Sequence, residues 1–157
     1  QASGARHGRG KATLPNGDTY EGFYNNGVRH GQGVYKFKNG ARYVGEYANG
    51  KKHGNGTFYY PDGSKYEGEW VEDQRHGQGV FTYANGDTYT GGWAGNVREG
   101  TGTYTYSLTG AKFEGSWSAD LRVGPGEIAL ANHKFSGNFT DNQVCKPLFI
   151  YFACRQF

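Results

Sequence analysis

Residues 66–79 read Tyr-Glu-Gly-Glu-Trp-Val-Glu-Asp-Gln-Arg-His-Gly-Gln-Gly, and the reading of this stretch decides the fold. It holds an aromatic-x-Gly-x-aromatic segment (Tyr66, Gly68, Trp70), a short polar turn, then a basic residue and His-Gly-x-Gly (Arg75, His76, Gly77, Gly79). The His-Gly-x-Gly phase begins at His7, His30, His53 and His76, and continues in weaker form at Glu99 and Val123. The aromatic segment begins at Tyr20, Tyr43, Tyr66, Tyr89, Phe113 and Phe135. Successive copies are about 23 residues apart, a period that marks a repeat architecture. Asn16-Gly17, Asn39-Gly40, Asp62-Gly63, Asn85-Gly86 and Thr109-Gly110 lie between the two parts.

Each copy reads as a β-hairpin. In Gly79–Tyr83 the alternation puts Phe81 and Tyr83 on one face, and Val80 and Thr82 on the other. Asn85-Gly86 follows as a turn whose two central residues both tolerate positive φ. In the return segment Tyr89, Gly91 and Trp93 share the ring face. A glycine between two rings lets a ring lie against the backbone, so Gly68→Val is expected to cost more than Gly92→Val, Gly92 being on the other face. A second turn, at Asn26-Gly27 and Asn49-Gly50, with Asp73, Asn96 and Asp120 nearby in later copies, joins one hairpin to the next. Of the 28 glycines, 23 fall at four phases of the repeat, so glycine serves backbone geometry rather than flexibility.

An isolated hairpin is marginal in water, and stacking hairpins side by side supplies the missing pairing. The fold expected is all-β: an elongated, single-layer, twisted antiparallel sheet of twelve short strands, advancing about 10 Å per repeat. Residues 1–142 make six repeats, the first incomplete and the last degraded, with Asn132-His133 in place of Asn-Gly. No segment has a 3.6-residue apolar period, and no helix is expected. Residues 143–157 are apolar and depart from the pattern. Three readings stand for this tail: a closing strand at Leu148–Phe152, a docking segment, or a non-homologous end.

Composition narrows the function. Hydrophobic residues are 35% and aromatic residues 17%, which suits a thin sheet with rings for a core. A net charge of +3 calls for no nucleic-acid partner. There is no run of about 20 apolar residues to span a membrane as a helix. Cys145 and Cys154 both sit in the tail and read as reduced thiols of a cytosolic protein. The chain opens inside a repeat and reads as a piece of a longer protein.

Four candidate sites are weighed. The histidines at one phase would be about 10 Å apart, too far to share a metal ion, so they read as residues bonded within their own turns. No metal and no cofactor is expected. Arg6, Arg29, Lys52, Arg75, Arg98 and Arg122 precede the His phase and form a basic ladder. It reads either as contact with acidic lipid headgroups or an acidic protein, or as local pairing with Glu21, Glu67 or Glu114 and capping of turn carbonyls. Tyr24, Tyr47, Trp70, Trp93, Trp117 and Phe139 form a ring ladder. It reads either as core or as a groove for a partner, with structure dominating at the centre and binding at the rims. The Gly-x-Gly strings lack the Lys-Ser/Thr and the helix of a phosphate loop, and no nucleophile elbow or Cys-x-x-Cys is present, so no enzyme is expected.

At these residues the chain resembles the MORN (membrane occupation and recognition nexus) repeat family, most fully over Tyr43–Gly63 and Tyr66–Gly86. Arg6–Gly22, Arg29–Tyr47 and Lys51–Trp70 are similar to family members found in the radial spoke head of motile cilia and sperm flagella. That likeness implies a non-catalytic axonemal scaffold in the cytoplasm. Its partners would be other spoke-head proteins, with self-association through sheet edges open to it. The alternative is a peripheral module that binds acidic phospholipids through the basic ladder.

Overall fold

A computed structural model describes the backbone of residues 4–152, and the side chains as far as residue 143. The chain forms two compact units that divide between Gly77 and Gln78. The expected all-β class of tandem antiparallel hairpins is found in both, and no helix occurs among the described residues.

The first unit carries β1 (Gly8–Thr13), β2 (Thr19–Asn25), β3 (Val28–Lys36), β4 (Arg42–Ala48), β5 (Lys51–Tyr59) and β6 (Lys65–Val71), each paired antiparallel with the next. β7 (Gln74–Thr82) crosses the division. The second unit carries β8 (Thr88–Ala94), β9 (Val97–Thr105), β10 (Lys112–Ser118), β11 (Leu121–Ala129), β12 (His133–Thr140) and β13 (Gln143–Phe152), paired in the same way. β13 follows the six expected hairpins. The backbone of the tail pairs with β12 over Gln143–Phe152, a longer span than the closing strand expected at Leu148–Phe152. Cys145 and Cys154 lie outside the described side chains.

The two turn types exchange the roles read from the sequence. At the Asn-Gly turn only glycine has positive φ: +88° at Gly17, +92° at Gly40 and +86° at Gly86, with Asn16, Asn39 and Asn85 in ordinary conformations. The Gly17 N–H donates to the Leu14 carbonyl at 2.9 Å, and the Leu14 N–H donates to the Asp18 carbonyl at 2.8 Å. This is a type I turn followed by a left-handed glycine, which admits Pro15 at its second position. Repeat five has one more residue here, so the Gly110 N–H reaches Tyr106 four residues back and Leu108 projects into solvent.

The tight two-residue turns lie between hairpins, as with Asn26-Gly27 between paired Asn25 and Val28. Both central residues have positive φ at Asn26-Gly27, Asn49-Gly50, Glu72-Asp73, Gly95-Asn96, Ala119-Asp120 and Asp141-Asn142. That is the type I′ signature, whose twist matches the strands.

Glycines align in rows across each sheet. In the first unit Gly10, Gly22, Gly33, Gly45, Gly56 and Gly68 are successive cross-strand partners. Gly91, Gly102, Gly115, Gly126 and Gly137 do the same in the second. Tyr20, Tyr43, Tyr66, Tyr89 and Phe113 are the largest fully buried side chains. Tyr20 lies over Gly22 and Gly33, Tyr43 over Gly45 and Gly56, and Tyr89 over Gly91 and Gly102. The row is bare so that rings can lie in it.

The reason given for the contrast between Gly68 and Gly92, that only the ring face is crowded, is incomplete. Gly92 is buried, and a Cβ on it would run into the Glu99 carbonyl oxygen. The cause is a bulge: β8 pairs Gly91 with Gly102 and then Trp93 with Arg98, crowding β9 against the skipped residue.

Candidate functional site

The ring face carries both the aromatic and the basic ladder. It is built from the glycine row upward. Each tyrosine in the row anchors its hydroxyl on a backbone carbonyl three residues on. Tyr20 donates to Phe23, Tyr43 to Glu46 and Tyr66 to Glu69, all at 3.0 Å, and Tyr89 to Gly92 at 3.1 Å. Burial pushes these phenols up, Tyr20 and Tyr89 to about 12. The cause is loss of water around a would-be phenolate.

The six rings expected to line a groove stand between these tyrosines. Tyr24, Tyr47, Trp70, Trp93, Trp117 and Phe139 are only 2–7% exposed. In the first unit Tyr24, Tyr20, Tyr47, Tyr43, Trp70 and Tyr66 contact in that order, edge to face, with centroids 5.1–5.4 Å apart. In the second, Trp93, Tyr89, Trp117, Phe113 and Phe139 do the same at 4.8–5.4 Å. Edge-to-face packing sets the positive ring edge on the negative face of the next. Trp70 Nε1–H donates to the Gly56 carbonyl and Trp117 Nε1–H to the Gly102 carbonyl, both at 3.1 Å. All six rings are buried, and Tyr47, Trp70 and Trp117 have a ladder ring on each side, so the centre of each ladder is core, while Tyr24 and Phe139 end their ladders with a ring on one side.

The basic ladder is folded over the rings. Arg6 lies over Tyr24, Arg29 over Tyr20, Tyr35 and Tyr47, and Lys52 over Tyr43, Phe58 and Trp70. Arg75 lies over Tyr66, Arg98 over Trp117 at 4.3 Å, and Arg122 over Phe113 at 4.5 Å. Each ring face attracts the cation through its quadrupole. Of the two local roles foreseen, turn-carbonyl capping occurs: Arg29 Nη2 donates to the Gly50 carbonyl at 2.7 Å, and Arg98 Nη2 to that of Asp120 at 2.8 Å.

The acids that pair with Lys52 and Arg98 differ from those expected. Lys52 pairs with Asp73 and Arg98 with Asp120, both at 2.9 Å, with only 18% of either cationic side chain exposed. Glu21 and Glu67 instead meet Lys11 and Lys65. The turn acids win because the tight turn of one repeat sits beside the basic residue of the repeat before. The backbone N–H groups of Gly27, Gly50, Asp73 and Asp120 donate to the carbonyls of Arg6, Arg29, Lys52 and Arg98.

His7, His30, His53 and His76 are exposed. No group of three metal-ligating side chains forms among the described residues. The first glycine of His-Gly-x-Gly takes positive φ at Gly31, Gly54 and Gly77, and the second belongs to the bare row. The motif is thus a bulge followed by a ring seat.

Sequence reasoning missed one polar element. Asp18 accepts from the Tyr35 hydroxyl (2.7 Å) and the Lys38 N–H (2.8 Å), tying one wide turn to the next repeat. Asp87 does the same with Tyr104 and Ser107, both at 2.8 Å. These donors hold both carboxyls below the ordinary value of 3.8. Asp after Asn-Gly was the available signal.

A family model described as MORN repeat matches residues 2–19, 20–42, 43–65, 66–88, 89–107 and 113–133. No curated protein sequence matches. Among solved structures, the TCP10c domain of Drosophila melanogaster Sas-4 is similar, with TM-score 0.48 and 11% identity, over 83% of this chain and 85% of that one. The TCP10 domain of Danio rerio CPAP, solved with a peptide of Danio rerio STIL, gives TM-score 0.36 and 17% identity, over 90% and 66%. At these values the likeness has no bearing on function.

Proposed function

This chain belongs to the MORN-repeat family, and from that premise we propose that it is a structural scaffold of the radial spoke head in the ciliary and flagellar axoneme, needed for motility. MORN repeats form repeat scaffolds or binding modules. The observation that carries the scaffold reading is the continuous ring ladder of each unit, roofed by cations that the same chain pairs and caps. Such a surface spends its aromatic and basic side chains on its own rigidity. The axonemal part rests on the similarity of Arg6–Gly22, Arg29–Tyr47 and Lys51–Trp70 to the radial spoke head MORN protein of cilia and flagella. Other spoke-head subunits would bind where the aromatic groove is unfilled and along sheet edges. At Lys52 and Arg98 the ladder favours the scaffold over the phospholipid alternative, because those two cations are already engaged with rings and acids.

The test is cross-linking mass spectrometry on axonemes from ciliated cells that express the tagged chain. Cross-links to spoke-head subunits are expected. A chain that leaves the axoneme with detergent, gives no such cross-links, and floats with anionic liposomes at low salt overturns the proposal.

A further inference from the structure

β1 pairs with β2 on one side, and among the described residues no strand lies on its other side. Alternate N–H and C=O groups of Gly8–Thr13 therefore point outward unpaired, as on any sheet edge. The side chains on this edge are more particular. They are the receiving half of a junction that the chain builds repeatedly, between an aromatic-x-Gly strand and the strand after it.

At those junctions one glycine of the receiving strand is covered by a ring of the strand before. Gly33 lies under Tyr20, Gly56 under Tyr43, Gly102 under Tyr89, and Gly126 under Phe113. Each also pairs with the glycine two residues after that ring: Gly22, Gly45, Gly91 or Gly115. A Cβ on Gly22, Gly45 or Gly91 would run into the Cα of its partner glycine, so the two backbones meet at contact distance. Gly10 holds the same place in β1, and no ring covers it. A Cβ there would meet only the edge of the Tyr24 ring, at 3.5 Å. The edge thus presents a ring seat that fits an aromatic residue followed, two positions on, by glycine.

Charge narrows the fit further. Arg9 and Lys11 flank Gly10 and are exposed. Gln32 and Val34 flank the seat glycine of β3, Asn55 and Thr57 that of β5, and no later strand has a cation at either place. Among the described residues no carboxylate lies within ion-pairing distance of Arg9, and Lys11 reaches Glu21 only at 4.0 Å with both side chains largely exposed. The other junctions show which partner residues come opposite these two. Glu46, just after Gly45, accepts from the N–H of Asn55, the counterpart of Arg9, at 3.1 Å. Glu21 and Val44, just before the partner glycine, pair with Val34 and Thr57, the counterparts of Lys11. Opposite charges in such cross-strand places stabilise and like charges repel. A second copy of β1, set antiparallel with Gly10 on Gly10, would put Arg9 on Lys11 twice, so the edge rejects itself.

We propose that the outer edge of β1 is a docking site for a strand of a partner protein with the pattern aromatic-acid-Gly-acid. Its ring lies on Gly10, its glycine abuts Gly10, and its two acids meet Lys11 and Arg9. Main-chain hydrogen bonds to the edge supply affinity and these three side-chain fits supply specificity, as in other strand additions. The inference gives the sheet-edge binding proposed above a particular edge and a particular partner chemistry, and it does not rest on the axonemal assignment.

The experiment titrates the full chain, labelled with nitrogen-15, with the peptide acetyl-Lys-Tyr-Glu-Gly-Glu-Trp-Val-amide, which has the sequence of β6 and the proposed pattern. Two control peptides replace its Tyr by Ala, or both its Glu by Lys. Amide shifts are expected within Gly8–Thr13, with affinity roughly tenfold lower or more for each control. Gly10→Ala puts a methyl group in the ring seat. It should abolish peptide binding and leave the melting temperature unchanged. The double variant Arg9→Glu, Lys11→Glu should lose the acidic peptide and gain the Lys peptide. No shift in β1, shifts confined to β13 or to the ring face, equal affinity for the Ala peptide, or undiminished binding by either variant overturns the proposal. So does self-association that rises with concentration and is blocked by Gly10→Ala, which would make a second copy the occupant.

Discussion

The Tyr20 ring lies directly over Gly33, the cross-strand partner of Gly22, with its hydroxyl anchored on the Phe23 carbonyl at 3.0 Å. A Cβ on Gly33 would overlap the phenol itself. Gly10 is in the same glycine row, but a Cβ there meets only the Tyr24 ring edge at 3.5 Å, ordinary contact. Gly33→Ala is therefore expected to cost about 1–3 kcal/mol, as overpacking does. Gly10→Ala should stay within about 0.5 kcal/mol of wild type. Urea unfolding measures both, and equal effects would remove the ring-seat account of the row.

Ala119 opens a type I′ turn at φ +48°, a conformation disfavoured for a residue with Cβ. Ala119→Gly should stabilise the chain by about 1 kcal/mol. The reverse change at the equivalent turn of repeat one, where Gly27 has φ +82°, should destabilise it by a similar amount. Paired thermal melts decide the point, with opposite signs as the expected outcome.

Trp70 sits between Tyr43 and Tyr66, 4% exposed, with its indole N–H on the Gly56 carbonyl. Trp70→Ala is expected to cost about 3–5 kcal/mol, the range for a buried ring. A loss below about 0.5 kcal/mol would mean that solvent or a partner already has access to that ring.

Acid should loosen the links between wide turns. Asp18 and Asp87 have carboxyls held below 3.8, first by the Tyr35 hydroxyl for Asp18 and by the Ser107 N–H for Asp87. The folded value lies under the unfolded one, so this contribution is complete above the unfolded pKa and is lost as pH falls below 3.8 through the folded value. The double variant Asp18→Asn, Asp87→Asn should be less stable at pH 7. It should also show a flatter decline between pH 5 and pH 2, read by chemical denaturation at each pH.

Alkali should act on the ring ladder. Tyr20 and Tyr89 ionise near 12 in the fold, against about 10 in an unfolded chain. A raised folded value means that stability is complete below pH 10 and falls as pH rises towards 12. Tyrosinate absorbance near 295 nm should rise together with loss of β circular dichroism in that window. Tyrosinate that forms fully near pH 10 with the sheet intact would show the phenols to be open to water.

The period, the strands, the ring face and the glycine row were legible in the chain. Each is set by residues a few positions apart, and alternation in an extended strand assigns faces without knowledge of neighbours. Tyr66, Gly68 and Trp70 could therefore be placed on one side of a strand from the text alone. The turns were half legible. Asn-Gly marked both bends, but whether Asn or only Gly takes positive φ depends on loop length, which is set by how Thr13 pairs with Thr19 and Asn25 with Val28.

What the tertiary structure alone decided concerns contacts between repeats. Arg98 appears in sequence beside Glu99, yet its carboxylate is Asp120 and its ring is Trp117, both supplied by the following repeat. The crowding of Gly92 by Glu99 comes from a bulge on the partner strand, which no property of Gly92 announces. Arg98 and Asp120 are 22 positions apart, and strand alternation, which assigns faces within a strand, does not say which residue of the next repeat lies beside them.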